Sequence, residues 1–171
     1  KMRGGPAKAA ILASGLTGLI SGSSVANTVT TGTFTIPIMK KTGLTPTKAG
    51  AIEVAASVNG QMMPPIMGAA AFVMSELLGI SYFTVITHAF LPAVISYIAL
   101  FYISHLEALK LNLKGMKDED VPNLKKTFLS GLHFLIPIFV LIYMLVYLRF
   151  TASYSIFYAT VSLIFVNLIN L

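Results

Sequence analysis

Ser21-Gly22-Ser23-Ser24-Val25-Ala26-Asn27 separates two apolar stretches, Pro6 to Ile20 and Val25 to Met39. Each stretch holds about 15 residues, roughly 23 Å of helix against a hydrocarbon core of ~30 Å. Neither crosses a membrane alone. Lys1, Arg3 and Lys8 lie at the start of the first stretch, and Lys40, Lys41 and Lys48 follow the second. Basic residues mark cytoplasmic ends. The pattern therefore predicts a re-entrant helical hairpin over 1–45, with its tip near 21–24, that enters and leaves on the cytoplasmic side. Two true spans would need a polar loop reaching water on the far side, and four small uncharged residues do not resemble one.

A second interruption stands at Asn59-Gly60-Gln61-Met62-Met63-Pro64-Pro65. Thr45-Pro46 has the form of a helix start, with Thr as cap and Pro in the first turn. The helix is expected to run through Glu53 to about Val58, break over 59–65, and resume from Ile66 to Leu78. Gly79 then stops it. Tyr82 to Ser104 reads as a full span of 23 residues containing Pro92. Residues 46–105 thus form a broken transmembrane helix plus one span, 106–126 a basic cytoplasmic loop, and 127–171 further transmembrane helices. Among these, Thr127 to Leu148 is expected to kink at Pro137, and another span begins at Tyr154. Position 1 is Lys and the final apolar run lacks a closing polar flank. The sequence therefore reads as a piece of a longer protein.

Composition supports this class. The chain is 56% hydrophobic and 11% charged, with a mean hydropathy of +0.81; soluble domains carry about 25% charged residues. The fold class is an all-α integral membrane protein. The net charge of +6 follows from topology, since Lys110, Lys114, Lys117, Lys125 and Lys126 fall in one loop. No nucleic-acid partner is implied. The absence of cysteine excludes disulfides, thiolate metal sites and a cysteine nucleophile. No Ser-His-Asp, His-x-x-x-His or phosphate-loop pattern appears, so the protein is not read as an enzyme.

Chemistry is concentrated at the two breaks. Ser24, Asn27, Thr28, Thr31 and Thr35 share one helical face, a wall of hydroxyls and amides suited to a polar solute. A single Thr would more often bond back to its own helix. At the tip, the last carbonyls of the first arm carry the negative end of a helix dipole and suit a small cation. The free N–H groups of the second arm suit an anion. Gly18-x-x-x-Gly22 is also a pattern for close helix packing. At the second break, Pro64 and Pro65 cannot donate to the carbonyls of Gly60 and Gln61, which leaves neutral oxygens beside Asn59. Free N–H groups follow at Ile66 to Gly68. Glu53, about two turns into its helix, is read as pairing with a cytoplasmic lysine. His88 is read as structural, His105 and His133 as interfacial, and Met62, Met63, Met67 and Met74 as packing residues.

These motifs resemble the large membrane subunit of tripartite ATP-independent periplasmic (TRAP) transporters. The resemblance rests on Ser21 to Asn27, on Ile36-Pro37-Ile38-Met39-Lys40-Lys41-Thr42-Gly43, and on Ala56-Ser57-x-x-Gly60-x-x-x-Pro64-Pro65. Gln61 to Phe72 is similar to the branch in which the large and small membrane subunits are fused. The match covers about positions 4–115. It implies a sodium-coupled, elevator-type importer of organic acids in the inner membrane, multi-pass, fed by an extracytoplasmic solute-binding protein. It further implies cation binding by Gly22, Ser23, Ser24, Asn59 and Gly60, and substrate contact by Asn27, Thr28, Thr31, Gln61 and Pro65. Its partners would be the lipid bilayer, the remaining part of the same permease and a small organic acid. No cofactor is implied beyond sodium as coupling ion. The alternatives are a sodium–anion symporter without a binding protein, and a non-transporting scaffold or channel subunit. Replacing Pro64 and Pro65 together by Ala is expected to weaken sodium coupling in uptake assays; unchanged sodium dependence would count against a site at the broken helix.

Overall fold

The computed structural model describes residues 4–113 and 131–169. They are helical, with no strand among the described residues, and fall in two units divided between Asp118 and Glu119. The first unit holds the hairpin and the broken helix. Helix α1 (Gly5–Ser21) begins after Gly4 in a left-handed conformation and carries Pro6 in its first turn. It ends where Gly22 adopts φ 62°, its N–H donating to the carbonyl of Gly18 at 3.0 Å. Ser23 is extended and caps α2 (Ser24–Lys41), its hydroxyl accepting from the N–H of Ala26. Two residues thus turn the chain back on itself.

Helix α3 (Pro46–Met62) starts on the Thr45 cap. It is followed by a linker, 63–67, then α4 (Gly68–Leu78) and α5 (Tyr82–Lys110). The break therefore falls later than 59–65. Asn59, Gly60 and Gln61 remain helical, because a proline removes its own N–H and restricts the residue before it, leaving the N–H groups upstream intact. Met63, the residue before Pro64, is extended at ψ 123°, and its N–H donates to the Gly60 carbonyl at 3.2 Å. The Pro64–Pro65 peptide is cis. Helix α5 also runs six residues past Ser104, so His105 to Lys110 are its last turns rather than a loop. The rest of the basic loop expected at 106–126, from residue 114 on, lies outside the described residues.

The core of this unit is built from small side chains: Ala7, Ala10 and Ile11 of α1 against Ala49, Ile52 and Ala56 of α3, with Met39 and Ala108. Lipid gives no hydrophobic drive between helices, so close backbone approach has to hold them. Large apolar side chains face outward instead, Val25 at 74% and Leu77 at 82% exposure among them. Only α5, 29 residues long and containing an apolar window of mean hydropathy 1.8, is long and apolar enough among the described helices to cross a membrane. At one end of the unit Lys48 of α3 pairs with Glu107 of α5. Nearby on α1, buried Lys8 donates to Nδ1 of His105 at 3.0 Å and lies over the Phe101 ring.

In the second unit a 3-10 turn, Leu132–Phe134, leads into α6 (Leu135–Ile142), a π-helical run at Tyr143–Tyr147, and α7 (Ala152–Ile169). Pro137 sits in the first turn of α6, where its missing N–H has no helical partner to lose. The irregularity falls at Tyr143–Tyr147 rather than at a proline kink.

Gly60 is the contact on which α1 meets α3: a Cβ there would lie 2.9 Å from both the Gly15 carbonyl oxygen and the Gly18 Cα. Gly60→Ala is expected to cost about 1–3 kcal/mol and lower the thermal midpoint of the purified permease. Gly50→Ala, with open space around it, should leave the midpoint unchanged or raise it slightly.

Candidate functional site

The hairpin tip meets the broken helix through glycine. A Cβ on Gly22 would lie 2.6 Å from the Gly68 Cα, and one on Gly68 would lie 2.6 Å from the Gly22 carbonyl oxygen. Both residues have positive φ, 62° and 64°, so larger residues are disfavoured twice. The C-terminal carbonyl end of α1 thus abuts the N-terminus of α4. A cross-link comes from Gln61, whose Oε1 accepts from the N–H of Ser24 at 3.1 Å.

Below the tip, the polar stripe of α2 turns inward. Asn27 is fully buried. Its Nδ2 donates to the carbonyl of Ser14 at 2.8 Å and lies 3.0 and 3.1 Å from the hydroxyls of Ser14 and Ser57. Those hydroxyls share a 3.0 Å hydrogen bond with each other. Oδ1 of Asn27 is buried without any partner. In low dielectric an unpaired amide oxygen costs about 1–3 kcal/mol, and such a group in a packed interior calls for an explanation.

One turn further, Thr31 and Thr35 converge on Glu53. The Thr31 hydroxyl contacts Oε1 and the Thr35 hydroxyl lies 2.5 Å from Oε2. Glu53 is fully buried, and among the described residues no cation pairs with it, contrary to the lysine partner expected. Lys48 is already engaged with Glu107.

The other predicted residues are placed as follows. Thr28 bonds back to the Ser24 carbonyl at 2.8 Å. The hydroxyl of Ser23 serves as the α2 cap. Oδ1 of Asn59 accepts from the hydroxyl of Ser96 on α5 at 2.7 Å, so this side chain points away from the tip. Gly60 is a packing residue. The carbonyl of Pro65 and that of Ile66 both face the hydroxyl of Tyr82, at 2.7 and 2.6 Å. The Tyr82 ring stacks on Phe72 at 4.5 Å and so ties the linker to α4 and α5.

The structure therefore brings Gly22 against Gly68 and Ser24 against Gln61 at the tip, and Asn27 against Ser14, Ser57 and Gly18 below it, while Asn59 faces Ser96 instead. Ser14, Ser57 and Tyr82 were not singled out as site residues in the sequence, and Glu53 was read only as a lysine partner. Glu53 alone carried a signal in the sequence, since an ionisable residue in an apolar helix is a functional candidate by default.

The group offers two kinds of binding. Carbonyls of the last α1 turn and the unpaired Asn27 oxygen are neutral donors for a hard cation. The N-terminus of α4 has no side-chain cap, while two N–H groups of α2 are already taken by Gln61 and Ser23. An anion would find its free donors on α4.

A protein-family model described as "Tripartite ATP-independent periplasmic transporter, DctM component" matches residues 1–170. Among curated proteins and among solved structures, none matches this chain.

Gln61→Leu removes the acceptor that holds the Ser24 N–H, a bond of about 1 kcal/mol. Amide exchange at residues 24–26 is expected to speed up about fivefold, while Gln61→Glu, which keeps the acceptor, preserves protection. Equal exchange in both variants would contradict the cross-link.

Proposed function

Since the chain belongs to the DctM family of tripartite ATP-independent periplasmic transporters, we propose that it supplies half of a sodium-coupled site for organic acids at the meeting of its two helix breaks. Membership in this family makes it a membrane-embedded component of a secondary transporter that works with other TRAP components, which sets the scaffold reading aside. The finer reading, sodium as coupling ion and a carboxylate as cargo, is what the family resemblance implies, and the chemistry of the site supports it.

The observation that carries it is the Asn27 carboxamide. Its nitrogen is held by Ser14 and Ser57, which fixes the oxygen, and that oxygen has no protein donor. A buried acceptor aimed by its own amide group is completed by a positive ion. Neutral amide and carbonyl oxygens suit a hard monovalent cation better than a transition metal. Among the described residues no cluster of His, Cys, Asp and Glu could hold a metal of that kind. In this reading Asn27 moves from the substrate wall to the cation shell.

A carboxylate bound next to that ion would use the first turn of α4, which lacks a side-chain cap and where the helix dipole favours negative charge. Gln61 holds the tip in place. Ion and acid then stabilise each other, because each neutralises the dipole end that the other leaves exposed. Broken helices whose ends face ion and cargo are characteristic of secondary transporters. In this account the hairpin is re-entrant, the unit moves as one body in an elevator cycle, and an extracytoplasmic binding protein delivers the acid.

Asn27→Ala is expected to raise the half-saturating sodium concentration for uptake at least tenfold, with substrate KM at saturating sodium changed by about twofold or less. A variant that transports with unchanged sodium dependence would overturn the assignment.

A further inference from the structure

We propose that the groove between α1 and α5, at the basic end of the first unit, binds one anionic phospholipid, with its phosphate on Lys8 and an acyl chain along the groove. The site depends on the membrane setting that the family gives and not on the sodium reading.

Helices α1 and α5 run antiparallel and touch at two places. A Cβ on Gly4 would lie 2.5 Å from the Ala108 Cβ, and one on Gly15 would run into the Tyr97 hydroxyl. Between these points the helices part around a cavity of about 450 Å³, inside the range of about 300–1,000 Å³ usual for small-ligand sites. Ile11 and Lys8 are buried at its floor, while Leu12, Ile98 and Tyr102 are exposed along its rim. The opening is lateral, toward the acyl chains of a bilayer. From Tyr97 to His105 the α5 wall advances about 12 Å, long enough for a stretch of hydrocarbon chain.

The polar feature of this groove is at one end. A lysine two turns from the start of a helix normally extends its ammonium to the interface. Lys8 instead turns inward and is only 5% exposed. Its ammonium has three donors. One goes to Nδ1 of His105 at 3.0 Å, and the Phe101 ring lies 5.3 Å from the charge. Neither partner is an anion. Among the described residues no carboxylate completes it: Glu107 pairs with Lys48, and Glu53 is held by Thr31 and Thr35. A buried charge is costly unless it is paired, and lysine binds phosphate as a point charge.

One anionic group beside an otherwise apolar groove describes an amphiphile. A free anion would fill the Lys8 end and leave the groove empty. A covering protein helix would have to bring its own acidic side chain to Lys8. The setting favours lipid over both. Lys40 and Lys41 of α2, Lys48 of α3 and Lys110 of α5 lie at the same end as Lys8. Basic ends lie on the cytoplasmic side, where the leaflet is anionic and basic pockets between helices hold lipid head groups. The bound lipid would brace the first arm of the hairpin against the one long span.

The test uses the purified full-length permease in detergent, with phosphatidylglycerol and phosphatidylcholine of identical chains as probes, followed by native mass spectrometry. The tightest phosphatidylglycerol is expected to bind about fivefold more strongly than the tightest phosphatidylcholine. Lys8→Gln should abolish that preference and Lys8→Arg should keep it. Lys41→Gln, which removes an exposed lysine at the same end, should also keep it. Ile98→Trp fills the groove from its exposed rim without altering charge, and should weaken phosphatidylglycerol binding even if Lys8→Gln does not fold. Equal binding of the two lipids by the wild type overturns the proposal, as does a preference indifferent to Ile98→Trp or lost equally in Lys41→Gln. Displacement of the lipid by an equal concentration of glycerol phosphate would show a site for a free anion and overturn the lipid assignment. A density map of the full-length permease with a protein helix seated in the groove would do the same.

Discussion

Two helix ends can meet inside a bilayer only if nothing stands between their backbones. Here the approach of Gly22 to Gly68, and of Gly18 to Gly60, leaves room for no side chain at all. Every other feature of the site depends on this closeness. It lets the dipole ends of α1 and α4 face each other, brings Gln61 within reach of Ser24, and seals Asn27 away from lipid and water. The small-residue spacing of Gly18 and Gly22 is thus both a packing device and the condition for a site, two roles that need not be chosen between.

Such closeness creates a debt of polar groups, because the same elements that meet at glycine carry Ser14, Ser57, Asn27, Thr31, Thr35 and Glu53 into the interior. Lipid satisfies none of them. The network settles almost all of its own hydrogen bonds across α1, α2 and α3, and the exception is informative. One buried amide oxygen, Oδ1 of Asn27, is left without a donor, and in the proposed function it is the group that a cation completes.

The hairpin was legible because Ser-Gly-Ser-Ser is a poor helix former flanked by two arms of insufficient length, and these constraints act locally. The second break was legible in kind but not in position. Asn59 and Gly60 look like breakers by composition, yet a proline disturbs the residue before it and the carbonyls upstream, so the helix persists to Met62. The stripe of Asn27, Thr31 and Thr35 was read on the correct common face, whereas its direction is set by partners distant in sequence. Ser14, Ser57 and Glu53 draw it inward, and no periodicity within α2 shows that. Glu53 itself was paired with a lysine on the basis of depth alone; the lysines' engagement with Glu107 and His105 depends on where α5 ends, six residues later than expected.

The central claim is that the buried oxygen of Asn27 belongs to a cation held where the two breaks meet. It is tested most directly by a density map of the full-length permease in sodium, compared with one in a large organic cation that cannot replace it. The account predicts compact density within coordination distance of Asn27 Oδ1 and the carbonyls of the hairpin tip, present only in sodium. A map in which that oxygen accepts a hydrogen bond from a protein side chain, with no ion beside it in either condition, would contradict the account.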